Sequence, residues 1–210
     1  MDLKDHGQEL MVRLKEGDQE AFAELVRTYE RLVINFAFRY LGDRALAEDV
    51  AQETFLRVYR NRKKWRPEAK FRVWLLTIVT RLCLNELRSR LRERRVLRFR
   101  NECIDEDQDL EAVDPKVDPP EIAAAKRERA EMVRKAIDRL LANQRAAVLL
   151  QHFEGLSYEE VAAVLGTTVE AVRSLLVRAR RNLRKALRPL LTPGEALSEG
   201  VERHESGHEG

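Results

Sequence analysis

The sequence predicts an all-α protein made of two small helical domains joined by an acidic flexible linker. Apolar residues recur at three- and four-residue steps, the period of one helix face, on both sides of residues 101–120. Within 101–120 that period is lost, and three of the chain's six prolines fall there. We therefore expect helical domains at 1–100 and 121–189, a linker at 101–120, and a disordered tail at 190–210.

The amino-terminal domain is predicted to contain three helices separated by clear stop signals. Gly42 is placed to end the first helix, and Asp43 can cap the second. A basic loop broken by Pro67 follows the second helix. The predicted helices cover residues 18–41, 43–61 and 71–90.

The carboxy-terminal domain is predicted to begin with a helix from Glu121, whose apolar face includes Val133. A short helix over 144–153, with Asn143 as its cap, leads into a pair of helices. Ser157 has the capping-box spacing for the first helix of this pair. The residues that mark the two helices are Ser157 and Glu160 at the first start, Gly166 at the turn, and Thr167 and Glu170 at the second start.

The second helix of this pair is apolar on one side and basic on the other. Its apolar side is Val172, Leu176, Ala179 and Leu183. From Arg173 to Arg188 there are seven basic residues and no acidic ones. Two short helices joined by a turn with glycine form a helix-turn-helix, whose second helix can enter the major groove. We predict duplex DNA binding, the alternative being a solvated basic face.

Charge is strongly segregated behind a net charge of only +3. Residues 57–100 carry 16 Lys or Arg against three Glu, whereas residues 102–121 carry nine acids against one Lys. Such blocks predict one surface for a polyanion and a separate acidic connector.

Several functional classes are disfavoured by the sequence. No apolar run approaches the roughly 20 residues of a membrane span, and the first residues lack a signal-peptide pattern. The two cysteines, Cys83 and Cys103, have no metal-ligand spacing and suit reduced thiols. The four histidines are scattered, and no carboxylate cluster lies in a basic domain. We therefore expect a cytoplasmic protein without membrane insertion, bound metal, cofactor or catalytic activity.

Two further patterns lie in the amino-terminal domain. On the helix over 43–61, an acidic stripe interrupted by a leucine suits either protein docking or simple solvation; its residues are Asp49, Gln52, Glu53 and Leu56. The following loop sets basic side chains beside Trp65, which suits splayed single-stranded bases, although a core position for Trp65 fits equally well.

Two long segments resemble a known family. The first comprises "LVRTYERLVINFAFRYLGDRALAEDVAQETFLRVYR" and "VWLLTIVTRLCLNELRSR", and it is similar to region two of bacterial sigma factors of the extracytoplasmic-function (ECF) type. The second, "NQRAAVLLQHFEGLSYEEVAAVLGTTVEAVRSLLVRARRNL", resembles their region four. The two segments stand in the family's order with a linker between them.

The resemblance implies a dissociable initiation factor that directs core RNA polymerase to promoters. It implies docking of Asp49, Gln52, Glu53 and Leu56 on the β′ coiled coil, contact with the β subunit, and restraint by an anti-sigma factor. It implies −10 recognition and DNA opening by Lys63, Lys64, Trp65, Thr77, Thr80, Arg81, Asn85 and Arg88. It implies −35 recognition by Thr168, Glu170, Arg173, Ser174, Val177, Arg178 and Arg181.

The main alternative is a free-standing regulator that binds duplex DNA through the same helix-turn-helix. Such regulators usually dimerise to match paired half-sites. This alternative leaves the region-two resemblance unexplained.

Overall fold

The described residues of this computed structural model, 3–66, 70–99 and 120–188, form eight α-helices and no strand, as expected for an all-α protein. Residues 101–119 of the predicted linker, the tail at 190–210 and the predicted loop breaker Pro67 lie outside the described residues. The helices are α1 (Leu3–Lys15), α2 (Gln19–Leu41), α3 (Arg44–Asn61), α4 (Phe71–Phe99), α5 (Pro120–Asp138), α6 (Ala142–Val148), α7 (Tyr158–Leu165) and α8 (Val169–Leu187). A 3-10 turn covers Arg62–Lys64, and a π-helical turn covers Leu149–Phe153.

The predicted helix boundaries between α2 and α3 are confirmed. Asp18 caps α2, its carboxylate accepting hydrogen bonds from the backbone N–H groups of Glu20 (2.9 Å) and Ala21 (3.3 Å). Gly42 ends α2 in the left-handed conformation at φ 73°, which glycine adopts without steric cost. The Asp43 carboxylate then accepts from the N–H of Leu46, 3.1 Å away. Chain reversal at this point is thus encoded locally.

Helix α1 was not predicted, because its amphipathic pattern is short and its packing depends on distant residues. Leu10, Met11 and Leu14 are buried against α2 and α4. Helix α1 approaches α2 and α4 closely at Gly7, because this residue has no side chain. A Cβ atom there would lie 2.4 Å from the Tyr29 hydroxyl and 2.6 Å from the Phe71 ring. Helix α4 also runs beyond the predicted end at residue 90, to Phe99.

Helices α1 to α4 form a bundle around a core of aromatic and aliphatic side chains. The fully buried large residues include Tyr29, Phe36, Tyr40, Trp65 and Phe71. Four of these rings pack in pairs: the Tyr29 and Phe71 centroids lie 5.0 Å apart in an edge-to-face arrangement, and the Phe36 and Tyr40 centroids lie 6.4 Å apart in a stacked one. This bundle fixes α3 and α4, which carry most of the predicted site residues of the amino-terminal half.

Helices α5 to α8 form a second bundle, in which α6 begins at a different residue from the one predicted. Helix α6 begins at Ala142 after an extended Leu141, without a side-chain cap. Asn143 therefore lies inside the helix and is not its cap, because the helix starts earlier than the apolar pattern indicated. Val133, predicted to be buried, is 36% exposed.

The two bundles share one continuous hydrophobic core within the described residues. Leu75 and Val79 of α4 belong to the same buried cluster as Leu150 and Val161, and α4 packs directly on α7. The sequence predicted two helical domains joined by a linker, and no local pattern in it indicated this contact. Among the described helices, none is long and apolar enough to cross a membrane.

Candidate functional site

The turn between α7 and α8 is built as the sequence predicted. Both halves of the capping box form: the Glu160 N–H donates to Ser157 Oγ (3.2 Å), and the Ser157 N–H donates to Glu160 Oε2 (3.0 Å). Gly166 ends α7 at φ 63°. Together with the short α7, these contacts give a helix-turn-helix that presents α8.

The cap of α8 is Thr168 and not Thr167, the residue predicted for this role. Thr168 Oγ1 accepts a hydrogen bond from the Ala171 N–H at 3.2 Å. The Glu170 carboxylate is held by its own backbone N–H and by the Thr168 hydroxyl, and these bonds lower its pKa, as does the nearby charge of Arg173. An exposed, ionised carboxylate therefore lies at the amino end of the basic helix.

Helix α8 has one buried and one exposed side. Val172, Leu176 and Ala179 pack into the core. Val177 stands out on the exposed side, where 63% of its surface is accessible. The predicted −35 residues all lie on that exposed side or at the helix start: Thr168, Glu170, Arg173, Ser174, Val177, Arg178 and Arg181. A face of this kind presents cations to phosphates and one apolar group to a base edge.

The acidic stripe on α3 faces solvent. Asp49 and Gln52 are exposed, and Leu56 is 47% exposed although it is apolar. Glu53 is half-buried and accepts a hydrogen bond from Arg57 Nε at 2.7 Å, one turn further along the helix. The arrangement leaves two carboxylates and an amide beside an exposed leucine.

A groove of about 670 Å³ runs beside this stripe between α2 and α3. Its apolar lining includes Phe22, Ile34 and Phe55, and Gln52 and Leu56 of the acidic stripe form part of its wall. An apolar side chain of a docking partner has room here next to the charged stripe.

The basic loop contains a correction to the predicted site. Lys63 and Lys64 are exposed on the 3-10 turn. Trp65, in contrast, is 1% exposed, and its backbone carbonyl accepts a hydrogen bond from Lys15 Nζ at 3.1 Å. A ring enclosed by the bundle cannot stack on a DNA base, so Trp65 is a core residue and we remove it from the predicted contacts.

The predicted −10 residues on α4 are only partly accessible to solvent. Arg81, Asn85 and Arg88 are exposed. Thr77 donates its hydroxyl hydrogen to the carbonyl of Val73 (2.8 Å) and is half-buried. Thr80 is fully buried, which removes it from the predicted contacts because no base can reach its hydroxyl.

Three cations at the boundary between the bundles were missed by the sequence analysis. Arg39, Lys70 and Arg72 come from α2 and the start of α4, and they contact carboxylates of the second bundle at Glu154 and Glu160. Their partners lie at least 82 positions away in sequence, so no local spacing connects them. The basic block at residues 57–100 was a signal for Lys70 and Arg72, but Arg39 lies outside it.

Two family models match this chain in the order of its two bundles. The model described as Sigma-70 region 2 matches residues 25–93, and the model described as Sigma-70, region 4 matches residues 130–183. The first match covers most of α2 to α4, and the second covers the helix-turn-helix together with α6 and part of α5.

Relatives of known identity match over nearly the whole chain. The RNA polymerase sigma-H factor of Pseudomonas aeruginosa is 35% identical, over 90% of this chain and 97% of its own length. The ECF RNA polymerase sigma-E factor of Escherichia coli is 32% identical, over 88% of this chain and 95% of its own length.

Solved structures also share the fold. The structure of CnrH in complex with the cytosolic domain of CnrY superposes with a TM-score of 0.62 at 26% identity, covering 88% of this chain and 99% of that one. The sigma factor RpoE of Bartonella quintana, in complex with the anti-sigma factor NepR, gives a TM-score of 0.61 at 24% identity. It covers 80% of this chain and 96% of its own.

Proposed function

This chain belongs to the ECF family of bacterial RNA polymerase sigma factors, and we propose that three of its surfaces divide the work of promoter recognition. It is a dissociable factor that binds core RNA polymerase, recognises the −35 and −10 promoter elements and promotes DNA opening. The assignment of residues to these steps is our proposal.

The exposed face of α8 reads the −35 element as duplex. Arg173, Arg178 and Arg181 are exposed on one side of a helix presented by a well-capped turn. Arginine is suited to bidentate contacts with guanine or to phosphate contacts, and Val177 can pack on a thymine methyl group. Ser174, Thr168 and Glu170 complete the contact surface.

The basic loop and α4 hold the −10 element. Lys63 and Lys64 attract the phosphate backbone, and Arg81, Asn85 and Arg88 lie exposed on the adjacent helix. Thr77 lies among them but is partly covered. Because Trp65 is enclosed, these charged and hydrogen-bonding groups predict that bases are held mainly by polar contacts and by groups on the polymerase.

The observation that carries the proposal is the exposed acidic stripe of α3. Asp49, Gln52 and Glu53 lie beside the exposed apolar side chain of Leu56, and Gln52 and Leu56 line a groove. Carboxylates and an apolar side chain do not suit a polyanion such as DNA. A docking site on the β′ coiled coil explains them, with the β subunit as a further contact. A free-standing regulator would not need this surface.

The proposal is tested by measuring promoter binding of the protein with and without core polymerase at physiological salt. Alone, one helix-turn-helix unit should bind weakly, since a single module has a small footprint. Core polymerase, by fixing both DNA-binding surfaces on one promoter, should strengthen binding by about 10²–10⁴ through effective concentration. The double variant Asp49→Lys/Glu53→Lys should lose that gain and keep the weak intrinsic binding.

The matched control is the double variant Glu16→Lys/Glu128→Lys. Both residues are exposed acids outside the acidic stripe, and the net change in charge is the same. The control should retain the gain from core polymerase. Nanomolar binding of one promoter by the isolated chain, with no gain from core polymerase, would instead identify a free-standing regulator.

We further infer an anti-sigma factor as a regulatory partner, as in other members of this family. The site of action in this proposal is the cytoplasm, where promoter DNA and polymerase are found. The proposal assigns no catalytic step to this chain: its role is to position core polymerase, which carries out RNA synthesis.

A further inference from the structure

A cluster of three cations lies where the first bundle meets the second, and carboxylates of the second bundle occupy it. Arg72 donates from Nη2 to Glu154 Oε2 (2.8 Å) and from Nη1 to the Glu154 backbone carbonyl (2.7 Å). Arg39 Nη1 lies 3.9 Å from Glu154 Oε1. Lys70 Nζ lies 2.6 Å from Glu160 Oε1. The Glu154 side chain is only 7% exposed, so its ion pairs with Arg72 and Arg39 are largely shielded from water.

The cations continue the proposed −10 surface. Lys70 directly precedes α4 and Arg72 lies in its first turn, next to the loop that carries Lys63 and Lys64. Arg72 directs two N–H groups at Glu154, one at its carboxylate and one at its backbone carbonyl, and a guanidinium can in the same way direct two N–H groups at the oxygens of a phosphate.

We propose that Arg39, Lys70 and Arg72 form a phosphate-binding site for the promoter strand, and that Glu154 occupies it as a phosphate mimic in the form described here. This inference rests on the proposed function. It adds a contact with the phosphate backbone of the promoter strand, and it states when the three cations become exposed. Glu160 acts with Glu154 by engaging Lys70.

The bundles must separate before both promoter elements can be bound at once. The −35 and −10 elements differ by about 25 base pairs in position, which corresponds to about 85 Å of duplex at about 3.4 Å per base pair. A compact chain of this length has a radius of gyration of about 17 Å and is therefore only about 45 Å across. Separation withdraws Glu154 and Glu160, and the three cations become available to DNA.

The closed form covers the two DNA-binding surfaces unequally. Arg173, Arg178 and Arg181 on α8 stay exposed. Arg72 and Lys70 are engaged by carboxylates. The isolated chain is therefore able to touch duplex DNA through α8 while its phosphate site for the −10 strand is blocked.

The test compares single-stranded DNA binding by full-length variants across a salt titration, using a labelled oligonucleotide of mixed sequence. Glu154→Gln keeps the shape of the residue but removes the charge that competes with phosphate. Each phosphate neutralised adds about 0.7 to the salt slope for single strands. We expect Glu154→Gln to steepen the slope by up to about 1.4, for Arg39 and Arg72, the two cations that Glu154 engages, and to raise the radius of gyration measured by X-ray scattering.

The matched control is Glu159→Gln, an exposed residue on α7 that undergoes the same change of charge and makes none of these contacts. It should leave the slope and the radius of gyration as in the parent chain. Equal slopes for Glu154→Gln and Glu159→Gln would overturn the inference.

The second arm uses the complex with core polymerase and a promoter duplex. Arg72→Ala should flatten the salt slope of promoter binding by about 0.9, the value for one phosphate on duplex DNA. Arg72→Lys keeps the charge and should restore most of the parent salt slope. Arg31→Ala removes an exposed arginine of α2 and should leave the salt slope unchanged. An unchanged slope with Arg72→Ala contradicts the phosphate site.

Failure of this inference is distinguishable from failure of the proposed function. If the variants bind core polymerase and support promoter-dependent transcription with unchanged salt slopes, only the phosphate site is wrong. If the parent chain gains no promoter affinity from core polymerase, the proposed function itself is wrong.

Discussion

The backbone carbonyl of Tyr40, at the end of α2, accepts a hydrogen bond of 2.6 Å from Nη1 of Arg145 on α6. The Tyr40 hydroxyl in turn donates to the carbonyl of Ala142 at 3.0 Å. The Arg145 guanidinium also lies 5.6 Å from the Tyr40 ring centroid and 3.4 Å from a carboxylate oxygen of Asp138. Tyr40 and Arg145 are both buried, and these hydrogen bonds join the two bundles.

Replacing Tyr40 with phenylalanine should weaken this junction without removing the ring. The Ala142 carbonyl would lose its bond from the hydroxyl, and we expect the free energy of unfolding to fall by about 1–2 kcal/mol. Chemical denaturation of the full chain measures the loss. Tyr59→Phe is the control, because Tyr59 is 37% exposed and its hydroxyl can remain bonded to water. Equal stabilities for the two variants would contradict the role of the Tyr40 hydroxyl.

Trp65 should behave as a core residue in fluorescence. In a Trp74→Phe background it is the remaining tryptophan, since the chain has two. Its emission should resist quenching by acrylamide and should not change when a single-stranded oligonucleotide is added. Trp65→Ala should destabilise the protein by about 3–5 kcal/mol, as for other large core truncations. Quenching of this emission by bound DNA would restore the base-stacking interpretation.

Thr80 should be dispensable for promoter opening. Its hydroxyl is fully buried and has no hydrogen-bond partner among the described residues. Thr80→Val removes that hydroxyl at nearly constant volume, so stability should stay equal or rise by about 1–2 kcal/mol. Opening of duplex promoter DNA should be unchanged. Asn85→Ala, by contrast, should slow opening on duplex and recover on a template already melted at −10. A selective opening defect in Thr80→Val would return Thr80 to the −10 contacts.

Asp43 should make the fold sensitive to acid. Burial acts to raise its pKa, but hydrogen bonds from Arg90 Nη2 (2.8 Å) and from the Leu46 N–H outweigh burial and hold the pKa below its usual value. A carboxyl with a lowered pKa in the folded state stabilises the protein above its unfolded-state pKa of about 3.9, and this stabilisation is lost as the pH falls through the folded-state value.

Asp43→Asn should therefore lower the free energy of unfolding at pH 7 by about 0.5–1 kcal/mol, since asparagine still caps α3 but cannot pair with Arg90. The difference in free energy of unfolding from the parent chain should shrink as the pH falls below about 4, because the folded-state pKa of Asp43 is lowered. Denaturation midpoints across this range measure it. Arg90→Gln should show the same trend, and the double variant should lose less than the sum of the two. A constant difference at all pH values would exclude the ion pair as the cause.

Much of this protein is determined by short-range signals in its sequence. Ser157 with Glu160, and Gly42 followed by Asp43, predict helix ends correctly because a cap involves backbone groups within about four residues. The exposed arginines of α8 are equally predictable, because the buried positions Val172, Leu176 and Ala179 fix which side of the helix faces solvent. These local features locate both the helix-turn-helix and the acidic stripe.

Tertiary structure decided what local signals cannot specify. Trp65 and Thr80 carry polar groups that suit DNA, and only the packing of the bundle shows that both are buried. Arg72 contacts Glu154, which lies 82 residues further along the chain, beyond the acidic segment. Residues so far apart meet through the relative placement of whole bundles. That placement follows from the summed burial of many apolar side chains and is encoded in no single spacing.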